Sequence, residues 1–394
     1  AVLVVWAARQ SAQAVAIKHP PMRIFYAVSP TPNAEALKNS TLWHQNLYPP
    51  LVELGHDVIQ FRYDFTRHID HANTRNPADM AYIAANRPIL ERHLLDEISA
   101  AHTQAPIDLF FSYFYDACVT PETIRTIKQM GIRTVNFYCN AVHQFYLIEK
   151  LAPEYDACMV PEQEALAHYA AVSANAIHVQ MAANPAVYKP YPLPHRYPVS
   201  FVGQKYLNRE PLMLYLYQHG IDVYAFGPHW REPHLFTAEQ RIKRRLRPIK
   251  QLLTGTQSKR ADAEMLPVDR LGPPLSDDEL IKLYSRSQIS LGFSEVQDPQ
   301  TGVIKRHIRL RDFEAPMSGA LYFTGYQDEL REFYEIDREI VCYDTPAELL
   351  DKVRYYLSHE AEADQIRAAG LARARRDHTW KNRFVQLFSA MGLA

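Results

Sequence analysis

Cysteine is scarce. The chain of 394 residues holds four, Cys118, Cys139, Cys158 and Cys342, far apart and in no CxxC or Cys/His cluster. That spacing excludes a disulfide framework and a thiolate zinc site, and it suits a reducing compartment. Glycine is also thin, at 13 residues. Neither G-x-x-x-x-G-K-[ST] nor G-x-G-x-x-G occurs, which counts against P-loop NTPases and classical dinucleotide enzymes. The G-x-S-x-G of α/β-hydrolases is missing too. A net charge of −1 gives no reason to expect nucleic acid as a partner. Long apolar runs are lacking. Residues 1–21 are apolar and alanine-rich, but Arg9, Gln10 and Gln13 interrupt them. They are too short for a bilayer span and have no basic start of a signal peptide, so they read as an extension, and the expected setting is cytoplasmic.

What the chain does have is alternation. Short apolar runs at 23–28, 57–63, 107–114, 133–139, 157–161 and 176–181 read as strands. Helical stretches separate them, among them 77–104, 162–172 and "TPETIRTIKQMG" at 120–131. In the last, Thr120 is the expected N-cap, Pro121 the first helical residue and Gly131 the stop. "NPAVYKPYPLPHRYP" (184–198) then breaks the rhythm with five prolines and reads as a stiff linker. The alternation resumes with "VSFVG", "GIDVYAFG", "QISLGF", "ALYFTG" and "EIVCY", separated by helices at about 208–219 and 276–286 and followed by closing helices. This pattern predicts an α/β protein with two doubly wound parallel sheets facing a cleft. The expected units are 22–183, a hinge at 184–198, 199–375, and a last helix in 376–394 that could cross back to the first unit. One segment departs from the rhythm: 241–260 is rich in Lys and Arg, has no acidic residue, and carries apolar residues at helical spacing. Two readings stand, a helix packed on its own domain and a peripheral contact with an anionic membrane at the inner face.

Ligands of such sheets bind beyond the carboxyl ends of the strands. Gly203 ends "VSFVG", and Lys205 and Arg209 follow it. The three make either a diphosphate cradle or an ordinary strand–turn–helix junction. Glu314, between Phe313 and Ala315 in "RDFEAPMSG", is a carboxylate where a core residue would serve. It can accept two hydrogen bonds from a pair of sugar hydroxyls, with Arg311 and the backbone near Ser318 and Gly319 toward a phosphate; the plainer reading is an Arg–Glu pair pinning a helix start. In the first unit the strand-end candidates are His44 within the loop 29–44, Asp116, Asn140 and His143. His143 and Asp116 are the candidates for acid–base or sugar contacts, and His44 and Asn140 for the acceptor side. A lone histidine after a strand is just as readily a hydrogen-bonded structural residue. No DxD motif stands at a strand end, so no metal is expected.

Four stretches then carry a resemblance in their order: "FVGQKYLNREPLMLYLYQHGIDVYAFGPHW", "LSDDELIKLYSRSQISLGF", "RLRDFEAPMSGALYFTGYQDELREFYE" and the closing "EIVCYDTPAELLDKVRYYLSHEAEADQIRAAGLARARRDHTWKNRF". Together they resemble the glycosyltransferases related to spore-coat protein CgeB, a group similar to family 4 of the retaining GT-B enzymes. The first half is similar only at the level of fold. The resemblance implies GT-B architecture, two Rossmann-like domains, and transfer of a sugar from a nucleotide-diphosphate donor to an acceptor hydroxyl on a glycan, lipid-linked or protein acceptor, with no cofactor or metal. It assigns Glu314 to the donor ribose, Arg311 to the motif arginine, and Gly203 with Arg209 to the phosphates. Family 4 carries a second Glu eight residues earlier; here Arg306 stands there. A sugar-nucleotide epimerase or hydrolase of the same fold and a non-catalytic nucleotide-sugar binding protein are the alternatives.

Overall fold

Four- to six-residue runs such as LFFS, ACMV and YFTG are buried on both faces, as strands of covered parallel sheets must be. A computed structural model describes residues 20–29, 41–231, 260–297 and 301–393 of the chain. The first sheet contains β1 (Arg23–Ala27), β2 (Asp57–Gln60), β3 (Leu109–Ser112), β4 (Arg133–Phe137), β5 (Ala157–Val160) and β6 (Ala176–His178), in the order β2-β1-β3-β4-β5-β6. The second contains β7 (Tyr197–Val202), β8 (Val223–Phe226), β9 (Leu271–Gly272), β10 (Ser287–Leu291), β13 (Tyr322–Gly325) and β14 (Val341–Tyr343), in the order β14-β13-β10-β7-β8-β9. All pairings within both sheets are parallel. Strand order reverses at β1/β3 in one sheet and at β7/β10 in the other, so each sheet has a switch point where a crevice opens. An antiparallel pair that the alternation does not announce, β11 (Glu295–Gln297) with β12 (Ile304–Arg306), follows β10.

The helices fall close to their expected places, with corrections. Thr120 does sit at the N-cap of Pro121–Gln129, but its side chain does not cap that helix. Its hydroxyl instead donates to Glu91 Oε1 at 2.6 Å, which also accepts from the Thr123 hydroxyl at 2.7 Å. The strand expected at 57–63 ends at Gln60, and Phe61 leaves it to pack on Phe25 and Phe65. The proline-rich segment is not free-standing. Tyr188 within it is buried, and a Cβ at Gly319 would meet Pro190 Cγ at 2.9 Å. Gly319, at φ +76°, is the left-handed stop of the helix Arg311–Met317, so both its backbone angle and its neighbour require glycine.

The last helix, Trp380–Ala390, belongs by packing to the first sheet's layer. Trp380 meets Trp43 and Phe137 edge-on, and Phe384 meets Phe111. Arg383 is buried on it and donates from Nε to the Gln180 carbonyl at 2.9 Å and from a terminal nitrogen to the Met181 carbonyl at 3.2 Å. Its guanidinium also lies over the rings of Phe313 and Phe333, at 5.8 and 5.7 Å. One side chain thus joins the exit of β6, the closing helix and the helix that carries Glu314. Of the basic segment 241–260, only Arg260 lies within the described residues. It pairs with Asp222 and covers the Tyr217 ring at 4.0 Å. The extension 1–21 falls outside the described residues through position 19, and the loop 29–44 does so from 30 to 40.

Candidate functional site

The carboxyl ends of the two sheets open onto a shared cleft of about 640 Å³. Its walls differ in chemistry. The second domain contributes Gly203, Arg209, Asp277, His307, Arg309, Arg311 and Glu314, and the first contributes Leu42, Trp43, Tyr113, Tyr115, Asn140 and Gln144 among others.

Three arginines converge on one wall, and among the described residues none forms an ion pair with a carboxylate. Arg209 starts the helix after β7, hydrogen-bonds the Gln204 carbonyl at 2.8 Å and lies over the Phe201 ring. Burial, then the charges of Arg309 and Arg311, push it down to about 10. Arg309 precedes the helix Arg311–Met317, and its Nε is buried without a hydrogen-bond partner. Burial lowers its pKa as well. Its backbone N–H is held by the fully buried Asp312 at 2.6 Å, which fixes the arginine at the head of that helix. Burial acts against the Arg311 charge too, but Tyr284 and Glu314 outweigh it and hold that guanidinium above its usual value. Buried cations gathered in this way favour an anion between them.

Glu314 lies one helical turn beyond Arg311 and is 3% exposed. Burial pushes its carboxyl up to about 7, while Arg311 and the Tyr188 hydroxyl pull the other way. Its Oε1 is buried with no hydrogen-bond partner. A buried acceptor without a donor costs about 1–3 kcal/mol, so an orphan facing a cleft marks a place for a ligand hydroxyl.

Gly203 lines the cleft at the end of β7, where its carbonyl accepts from Trp230 Nε1 at 2.7 Å and a Cβ would strike the Phe201 ring at 2.7 Å. The remaining expected donor residues are placed elsewhere. Lys205 does not line the cleft; its ammonium pairs with Glu210 at 2.8 Å. The Ser318 hydroxyl turns back to the Glu314 carbonyl at 2.8 Å, and Gly319 ends the helix against Pro190. Both are structural.

On the first domain, Asn140 lines the cleft, exposed, with its side chain making no cap bond. His44 stacks on Tyr48 at 4.9 Å, outside the lining, while its neighbours Leu42 and Trp43 reach the cleft. Asp116 is no acid–base group of the cleft. Its carboxylate is buried and accepts the backbone N–H groups of Lys150 and Leu151 at 3.1 and 3.0 Å, closing the turn that follows Leu147. His143 lies behind the lining, with its ring 5.6 Å from that of His307. His307 reaches the cleft itself, 3.5 Å from Glu162. Burial, with Arg309 and His143 nearby, pushes His307 down to about 2, so it stays neutral. Burial pushes Glu162 up to about 7, against a 2.9 Å hydrogen bond from the Val142 N–H. This Glu162–His307 pair escapes a reading of the sequence because its members come from different domains.

The fold is that of the GT-B glycosyltransferases. Residues 214–389, a little under half of the chain, match the family described as glycosyl transferase-like. No curated protein matches the sequence. Among solved structures, sucrose-phosphate synthase from Thermosynechococcus elongatus is similar at 13% identity and TM-score 0.55, over 93% of this chain and 100% of that one. The HepE protein of Anabaena in complex with UDP is similar at 10% identity and TM-score 0.53, over 95% and 100%. A glycosyltransferase from Rickettsia africae is similar at 12% identity and TM-score 0.56, over 94% and 98%.

Proposed function

We propose that this protein is a GT-B glycosyltransferase of the CgeB-like group that takes a nucleoside-diphosphate sugar and transfers the sugar, with retention, to an acceptor hydroxyl. The observation that carries the reading is the convergence of Arg209, Arg309 and Arg311 on the cleft, in no direct ion pair among the described residues, beside a buried Glu314 with an orphan oxygen. A diphosphate needs the first and a ribose the second. Glu314 then receives the vicinal hydroxyls, and the guanidiniums hold the phosphates and stabilise charge as the leaving group departs. Three fixed cations supply the compensation that a divalent ion would otherwise give, so transfer proceeds without added metal. Solved relatives of the same fold bind UDP and UDP-glucose, which supports a donor of this kind. Retention is supported by the likeness of "RDFEAPMSG" to family 4. In this reading His307, which lines the cleft with Glu162 3.5 Å behind it, orients the acceptor hydroxyl or the donor sugar.

The test is a thermal-shift series with UDP, GDP, dTDP, CDP and their sugar conjugates, followed by transfer assays in EDTA with the product anomer read by NMR. A folded-state ligand at one hundred times its Kd stabilises by about 2.7 kcal/mol, so one base should stand out. Silence from every nucleotide sinks the proposal, and loss of transfer in EDTA sinks its metal-free form.

A further inference from the structure

The two walls of the cleft divide charge from apolar surface. Among the described residues, every Asp, Glu, Arg and His that lines it belongs to the second domain. Among the described residues, the first domain lines it with no Asp, Glu, Lys, Arg or His at all. That wall is instead a run of rings. Trp43 and Tyr113 have ring centroids 5.7 Å apart, and Tyr113 and Tyr115 are also 5.7 Å apart. The rings are held from behind: Tyr138 stacks on Tyr113 and meets Tyr115 edge-on, while Phe137 braces Trp43. The Tyr113 hydroxyl is engaged with Cys139 Sγ at 3.1 Å, so this tyrosine offers the cleft its ring more than its hydroxyl. The polar groups at the rim are neutral amides: Asn140, and Gln144, whose oxygen accepts from Tyr138.

Resting on the glycosyltransferase reading, we infer that the acceptor is an uncharged, hydroxyl-bearing ring compound, a neutral glycoside or a phenol, that lays an apolar face on Trp43, Tyr113 and Tyr115 and hydrogen-bonds to Asn140 and Gln144. Rigid aromatic faces recognise the C–H faces of sugars and aryl rings alike. An anionic acceptor such as a sugar phosphate would find no cation among the described residues of this wall, and its charge would be drawn to the arginines that the donor occupies.

The experiment measures acceptor binding directly. Phenyl β-glucoside, 2-naphthol and glucose 6-phosphate are titrated calorimetrically into the full chain saturated with the nucleoside diphosphate that stabilises it, and then compared as acceptors. The expected result is binding and transfer for one or both neutral probes, with glucose 6-phosphate weaker by at least about tenfold. The glucoside and the phenol separate the two sources of the same chemistry. Asn140→Ala, at an exposed position, and Trp43→Leu should each raise the acceptor KM, on the order of tenfold for Trp43→Leu, with the nucleotide Kd unchanged. The unchanged Kd also certifies the fold if Trp43→Leu is delicate. Preference for glucose 6-phosphate, no binding of either neutral probe to the nucleotide-loaded protein, or an unchanged KM in both variants overturns the inference. Failure to bind any nucleotide would instead overturn the glycosyltransferase reading beneath it.

Discussion

Arg309 shows how a single residue is made into a ligand group. Its backbone is fixed by Asp312, while its Nε lies buried without a partner. Arg309→Ala should therefore weaken nucleoside-diphosphate binding by about 1.5–3 kcal/mol, the range for a charged hydrogen bond. Lys205→Ala should leave it unchanged, since that ammonium serves Glu210. Isothermal titration on the two variants decides the point; equal losses would mean that the phosphates lie nearer Lys205 than the cleft geometry places them. Glu314→Ala should cost about 1–3 kcal/mol of the same affinity without unfolding the chain. At this scale the sequence was only partly legible. Glu314, Arg311, Arg209 and Gly203 stand in local motifs that name themselves, because strand ends and helix starts are short-range features. Arg309 was visible in the same stretch but had no special mark; only the fold brings it to Arg209. Asp116 misled for the converse reason, since a carboxylate after a strand is equally suited to capping a turn.

At the scale of elements, the closing helix Trp380–Ala390 controls how the two domains meet. Arg383 is a buried cation hydrogen-bonded to carbonyls, chiefly those of Gln180 and Met181, and to His378 Nδ1 at 3.3 Å, with Phe313 and Phe333 against its faces. Removing it leaves those carbonyls buried and unpaired. Arg383→Ala should destabilise the protein by about 3 kcal/mol, read as a fall in the urea midpoint at constant slope. A neutral outcome would show that the crossing is held by Trp380 and Phe384 alone. The alternation of strands and helices was legible because parallel strands buried on both faces are short apolar runs, and their connecting helices carry their own caps and stops. The β11–β12 pair was not legible, since three-residue strands present no period to detect. The packing of the closing helix on the first domain depends on Trp43 and Phe111, hundreds of residues earlier in the chain, and no local pattern carries it.

For the whole molecule, buried titratable groups couple fold, pH and ligand. Glu162 and Glu314 are each raised from 4.5 to about 7, so the native state holds protons that the unfolded chain has released. Their stabilising contribution is complete below pH 4.5 and lost as pH rises through 7, about 1 kcal/mol each between pH 6 and 8. His307 and His378 act in the opposite sense. Lowered from 6.5 to about 2 and about 3, they favour the unfolded chain as pH falls below 6.5. Glu162→Gln should flatten the alkaline limb of the melting curve of the unliganded protein. Donor binding reverses the sign at Glu314. Hydroxyls that donate to its carboxylate favour the ionised form, so the bound state should release the proton that the empty site retains. Nucleoside-diphosphate affinity should then rise on the order of tenfold from pH 6 to pH 8, with proton release visible as a dependence of the calorimetric enthalpy on buffer ionisation. In Glu314→Gln both signals should vanish while binding through the arginines persists at reduced strength. A wild-type affinity that stays flat across that range would mean Glu314 meets the ligand already ionised or does not meet it at all. The variant separates those two cases, because only in the first does its affinity fall.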